Sequence, residues 1–288
     1  MTNKAIVVLG LPASGKTTYL AALWHLLQAR KIESKIKSVR LRAGEAQHLN
    51  EIAKRWLAAK KQERTSQDRN RTVTMEVQSS ASGNEFVLSF PDVAGEAFAE
   101  IWEKRECDPE VLNSLGAQGV LLFIHATDIN PPNWIADDAK LNKLLGIQQN
   151  SGEPVAWEPR FAPTQVQLVD LLRCLQEPPL GVGPRRLAVA LSAWDLAEGD
   201  KRNPEKYLAL HLPLFHQYLN HGLDPAWVVK VYGVSAQGAE YDSDGGDGKA
   251  SAGAKTMREM EVPSERIKVV HGESSSHDLT EPLFWLLD

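Results

Sequence analysis

Cysteine is scarce in this sequence. The 288 residues include only Cys107 and Cys174, too few for a disulfide framework or a four-cysteine zinc site and without CxxC spacing. Two isolated thiols suit a reducing compartment. Long apolar runs are missing as well. The N-terminal run ends at Leu9, shorter than a signal-peptide core. The later run at 120–124 falls far short of the roughly 20 residues that span a bilayer. A cytoplasmic location is therefore expected. Nor is there a basic excess: 32 Lys and Arg face 37 Asp and Glu, a net charge of −5. That balance argues against a uniformly basic nucleic-acid coat.

What is present is an ordinary globular composition, 43% apolar and 24% charged, with enough length to bury a large core. Residues 4–9 form a β-branched apolar run that reads as a buried strand. The turn-like GLPASG follows, then Tyr19, Leu20, Leu23, Trp24 and Leu27 at helical spacing. Val39 and Leu41 alternate with arginines as a short extra strand would. Leu49, Ile52, Ala53, Trp56 and Leu57 mark one helical face. Val73, Met75 and Val77, then Phe86, Leu88 and Phe90, alternate around a glycine-containing turn, the pattern of a β-hairpin. Further strands are expected at 120–124, 187–191, 228–234 and 267–270. Helices are expected at 166–175, 207–219 and 279–287, with Pro213 a candidate kink. Strands alternating with helices predict an α/β fold with a doubly wound, mostly parallel sheet, the hairpin adding one antiparallel edge strand. The expected organisation is a single domain over residues 1–288 with insertions near 30–70, 129–163 and 238–262. Residues 238–256, rich in Gly, Asp and Ser, read as a flexible loop.

The sharpest signal is Gly10-Leu11-Pro12-Ala13-Ser14-Gly15-Lys16-Thr17, which matches GxxxxGK[ST] at every position. A strand precedes it and a helix follows, the setting of a phosphate-binding loop in a P-loop NTPase sheet. Gly10 and Gly15 let the backbone wrap closely around phosphate oxygens. The N–H groups of Ala13 through Thr18 and the helix N-terminus supply partial positive charge. Lys16 is expected on the β- and γ-phosphates, the Thr17 hydroxyl on Mg²⁺, and the Thr18 N–H near the α-phosphate. Asp92 ends the strand FVLSFPD and opens Asp92-Val93-Ala94-Gly95-Glu96, a DxxG motif. Its carboxylate suits Mg²⁺ held through water, and the Gly95 N–H suits the γ-phosphate.

Phosphate loop, antiparallel hairpin and DxxG in that order resemble the translation-factor-related and Ras-like P-loop GTPases. The resemblance implies that a threonine of the first switch loop completes Mg²⁺ coordination. Thr65, in Glu63-Arg64-Thr65-Ser66, is the first candidate and Thr72 the second. Glu96 stands where many such GTPases have the Gln that orients the attacking water; it either positions that water or points away and leaves a slow enzyme. The resemblance also implies a base-reading pair. Ser192-Ala193-Trp194-Asp195 and Ser235-Ala236-Gln237 follow apolar strands in the right order. The Asp195 carboxylate can accept from N1–H and N2–H₂ of guanine, a donor pair that adenine lacks, and the Ala236 N–H can donate to O6. The motif departs from [NT]KxD: Ala193 replaces the lysine that packs on the base, Ser192 the residue that buttresses the loops, and Gln237 the residue covering the other face. Trp194 is either a compensating stacking surface or a core residue.

The stretches GLPASGKTTYLAALW, ERT, FPDVAGEAF with IWEKRECD, ALSAWD, VSAQG and HDLTEPLFWLLD resemble the bacterial double-GTPase family, specifically its second member, over nearly the whole chain. That resemblance implies a GTP/GDP-binding, Mg²⁺-dependent switch, paired with a partner GTPase from a neighbouring gene in a conflict or defence system. Two other classes stay open: a non-hydrolysing, nucleotide-stabilised scaffold, and an ATP-using P-loop enzyme. Residues 30–71 hold 13 Lys and Arg against 5 Asp and Glu, either a solvated helix face or a docking surface for an acidic partner. The acidic stretch 240–248 lacks the bidentate acid of a calcium loop.

Overall fold

The computed structural model describes residues 5–41, 45–62, 71–92, 102–106, 109–132, 135–146, 156, 158, 161–243 and 251–287. The elements that carry the fold are β1 (Ala5–Gly10), α1 (Lys16–Ala29), β2 (Ile36–Leu41), α2 (Glu45–Leu57), β3 (Arg71–Ser79) and β4 (Glu85–Asp92). There follow α3 (Pro109–Leu115), β5 (Gly119–His125), α4 (Ile135–Leu145), α5 (Thr164–Cys174), β6 (Arg186–Ser192), α6 (Trp194–Ala197), α7 (Pro204–His211), α8 (Pro213–His221) and β7 (Val228–Ser235). The chain closes with α9 (Ala252–Glu259), β8 (Lys268–His271), β9 (Ser274–Ser276) and α10 (Thr280–Leu287).

One nine-stranded sheet runs in the order β2-β3-β4-β1-β5-β6-β7-β8-β9. Strands β4, β1, β5, β6 and β7 are mutually parallel. In β1, β5 and β6 apolar residues fill the central positions without polar alternation because both faces are covered. The pleat divides them. Ile6, Val8, Leu121, Phe123, Ala188 and Ala190 face a core built with α1, α2 and α10. Val7, Leu9, Val120, Leu122, Val189 and Leu191 face a second core built with α3, α5, α7 and α8. This is the doubly wound architecture expected from the sequence.

The mixed part is richer than one edge strand. The hairpin strand β3 is antiparallel to β4, but β2 pairs with it from outside and takes the edge. At the other end β8 and β9 add two antiparallel pairings. Strand β9 consists of three serines and has no apolar pattern to reveal it. The helix expected at 207–219 is two helices, because Pro213 cannot continue the first and instead occupies the opening turn of the second. Within the loop expected at 238–256, residues 252–256 are helical. Ser251 caps α9 by accepting from the Ala254 N–H at 3.0 Å.

Candidate functional site

Five parallel strands present their C-terminal ends on one side of the sheet, and the chain order reverses at β1, whose neighbours are β4 and β5. That crevice is where open α/β sheets bind ligands. The phosphate-loop motif lies there, between β1 and α1. Gly10 sits so close to β5 that an added Cβ would lie 2.6 Å from the Phe123 carbonyl oxygen. Gly15 caps α1 with φ 87°, a left-handed conformation natural to glycine. No side chain caps that N-terminus and no acid occupies its first turn, so its N–H groups and dipole are available to an anion. The Lys16 ammonium donates to the Gly10 and Leu11 carbonyls at 2.8 and 3.0 Å, which holds its charge over the loop. Thr17 follows in the first turn of α1, partly exposed.

Asp92 ends β4. Val7 pairs with Ser89, so Asp92 and Gly10 lie equally far along neighbouring strands. Thr72, the alternative to Thr65, sits within β3 opposite Pro91. Thr65, Gly95 and Glu96 fall outside the described residues.

The two motifs expected to read a base come together although 40 residues separate them. The Ser235 hydroxyl donates to Asp195 Oδ1 at 2.7 Å and accepts from the Gly238 N–H at 3.2 Å. The first bond fixes the carboxylate; the second closes the Ser235–Gly238 turn. Ser192 keeps the buttressing contact despite replacing a larger residue. Its buried hydroxyl donates to the Ser14 carbonyl at 2.8 Å, tying the end of β6 directly to the GxxxxGK[ST] loop. A Cβ on Gly15 would lie 3.1 Å from that same hydroxyl oxygen. Ala193 takes the left-handed conformation (φ 50°) that turns the chain from β6 into α6. Gln237 folds back on its own loop, donating to the Ala239 carbonyl at 3.0 Å.

Trp194 is a core residue. It is 3% exposed, packs edge-on to Tyr207 at 5.3 Å, and lies where a side chain on Gly233 would clash with it. A stacking role for its indole is thereby excluded in this conformation. The basic surface is also partly engaged. Arg55 donates to the Lys61 carbonyl, and Lys61 pairs with Glu240 at 3.2 Å.

The sequence matches the Double-GTPase 1 family over residues 7–286. The chain belongs to this family. The double-GTPase resemblance therefore holds, with the first family member matched where the sequence motifs pointed to the second. Membership supports GTP as the nucleotide for the site. Similar solved structures include the S. cerevisiae Ski7 GTPase-like domain bound to GTP, at 14% identity and a TM-score of 0.44, covering 86% of this chain and 47% of that one. Others are the SRb-GTP/SRX complex from Chaetomium thermophilum (13%, TM-score 0.38, 82% and 92% covered) and the Arl6 BBS3 small GTPase from Trypanosoma brucei with bound GppNp (11%, TM-score 0.36, 81% and 87% covered). This Double-GTPase 1 chain thus spans about half the length of the Ski7 chain it resembles. No curated protein matches it significantly. No described helix is long and apolar enough to cross a membrane.

Two residues of this family member that sequence reasoning left aside lie beside the Ser235–Gly238 turn. Trp56, read as one more apolar residue of α2, donates its indole N–H to the Ala236 carbonyl at 2.8 Å. Arg266 stacks on that indole with its guanidinium 4.0 Å from the ring centroid. No periodicity marks either role: Trp56 fits its helical face whether or not its N–H has a task, and Arg266 is one basic residue among many. A cavity of about 520 Å³ lined by Arg105, Asp170, Arg173 and Cys174 lies apart from these motif residues.

Proposed function

We propose that the chain is a Mg²⁺-dependent molecular switch that binds and hydrolyses GTP and signals to a partner protein. The observation that carries this reading is the Ser235–Asp195 hydrogen bond of 2.7 Å, made in the same cluster as the Ser192–Ser14 bond. Together they join a base-reading carboxylate to a phosphate loop.

In this reading the N–H groups of Ala13, Ser14, Gly15, Lys16, Thr17 and Thr18 cradle the phosphates, with Gly10 giving the backbone room. Lys16 neutralises the β- and γ-phosphates. Thr17, Asp92 and Thr65 are the oxygen donors to Mg²⁺. Hard oxygen ligands suit that ion, which takes few protein ligands and relies on substrate phosphates. Asp195 reads guanine N1–H and N2–H₂, Ala236 donates to O6, and Ser235 and Gln237 shape the loop. Gly95 senses the γ-phosphate, and Glu96 acts on the attacking water. GTP would order the segments around Thr65 and Gly95, creating the surface for a partner, for which a second GTPase of the same system is the first candidate. The chain acts as one cytoplasmic domain with insertions, in a bacterial conflict or defence system.

Titration calorimetry with slowly hydrolysed GTP and ATP analogues and Mg²⁺ tests the base reading. Wild type should prefer GTP, and Asp195→Ala should weaken GTP binding about 10- to 100-fold, the scale of hydrogen bonds to a charged group. Equal binding of both nucleotides would overturn the guanine assignment. Multiple turnovers abolished by Lys16→Ala would support hydrolysis; their absence in wild type would leave a nucleotide-stabilised scaffold.

A further inference from the structure

Helix α2 belongs to the segment expected as an insertion, yet its end and the residues just beyond it are bound at several points to the chain that follows β7. The indole N–H of Trp56 reaches the Ala236 carbonyl at 2.8 Å, 180 residues away in sequence. Trp56 is fully buried, and Ala236, Tyr241 and Arg266 are each less than 9% exposed. Arg266 lies over the indole face and donates from one Nη to the Trp56 carbonyl at 3.0 Å and to the Tyr241 hydroxyl at 2.8 Å. The backbone joins in just beyond α2. The Asp242 N–H donates to the Ala59 carbonyl at 3.0 Å, and the Lys61 N–H to the Asp242 carbonyl at 2.8 Å. Arg258 adds a bond from Nε to the Ala58 carbonyl at 2.8 Å. Gly238 accepts this crowding because it has no side chain: a Cβ there would lie 2.8 Å from the Arg266 carbonyl oxygen.

From this geometry we infer that Trp56, held by Arg266 and Tyr241, is a specificity-positioning residue that orients Ala236 toward the guanine O6. The Ser235 hydroxyl fixes the turn from the Asp195 side; Trp56 fixes it from the opposite side by holding the next carbonyl. The Ala236 carbonyl lies in the peptide plane after the residue and the Ser235 contacts hold the chain before it, so bonds on both sides of residue 236 narrow the directions its N–H can take. Pre-set donors select a matching acceptor because no binding energy goes to ordering them. Trp56 touches no nucleotide in this scheme and acts only through the loop.

The inference rests on Ala236 being the O6 donor, and its test separates the two. Trp56→Phe keeps an aromatic ring under Arg266 and deletes the indole N–H together with part of the ring. Any packing loss this brings is common to all nucleotides, so only the dependence on O6 reports the hydrogen bond. GDP and IDP, which both carry O6, should bind three- to tenfold more weakly to the variant, the size of one ordinary hydrogen bond. The diphosphate of 2-aminopurine riboside lacks O6 and should bind wild type and variant alike. Tyr241→Phe, which removes an acceptor of Arg266 and keeps the ring, should show a smaller loss with the same dependence on O6. An equal fall for all three nucleotides, or no fall for any, would overturn the positioning role while leaving the guanine reading intact. Wild type binding GDP no better than ADP would overturn the guanine reading and this inference with it.

Discussion

Removing one hydroxyl, in Ser192→Ala, tests whether the two nucleotide loops share a support. Ser192 is 5% exposed and Ser14 2%, and their bond is 2.8 Å long. Deleting a buried donor costs about 1–2 kcal/mol, since the carbonyl left behind cannot reach water. The Ala side chain keeps the Cβ that packs near Gly15, so no cavity term of consequence is added. The cost then divides between two observables. If the phosphate loop holds its shape without nucleotide, the unfolding free energy falls by that amount, read from urea denaturation. If the loop relaxes instead, the loss moves into binding, and GDP affinity falls roughly five- to thirtyfold at about 1.4 kcal/mol per decade. Fluorescent GDP titration reads the second. The losses in the two assays should together account for one buried hydrogen bond. Unchanged stability together with unchanged affinity would refute the idea that Ser192 braces the phosphate loop.

Two further perturbations probe the surroundings. Burial, and then the charge of Arg266, hold the His25 pKa below its ordinary value, and its ring lies 5.1 Å from Trp56. The unfolded chain therefore binds this proton more readily, so stability should be full above about pH 6.5 and fall as the pH drops below it. Denaturation of His25→Gln should show a shallower acid-side fall, and parallel curves for the two proteins would remove His25 from the cause. Trp194→Leu leaves a gap against Gly233 and Tyr207 and should cost about 2–4 kcal/mol of stability; an unchanged denaturation midpoint would place the indole outside the core.

Local order carried most of what the sequence revealed. GxxxxGK[ST] is legible because the chemistry of wrapping a phosphate requires glycines at fixed offsets within eight consecutive residues, between a strand and a helix. The parallel strands were legible because burial on both faces leaves continuous apolar runs such as GVLLFIH and RLAVALS. The elements that escaped have no such requirement. Strand β9 is made of serines and exists only because β8 offers a free edge. The helical part of α9 follows a glycine- and aspartate-rich stretch that reads as loop by composition.

The sequence by itself determined the fold class and the identity of the candidate nucleotide groups, because both depend on residue types at short, fixed spacing. Only the tertiary structure decided how those groups support one another. It put Trp194 in the core rather than at the base, gave the small Ser192 a bracing bond, and brought Trp56 of helix α2 to the carbonyl of Ala236. Each of these is a hydrogen bond or packing contact between residues far apart along the chain. Such contacts follow from how the helices cover the sheet, and no local pattern encodes them.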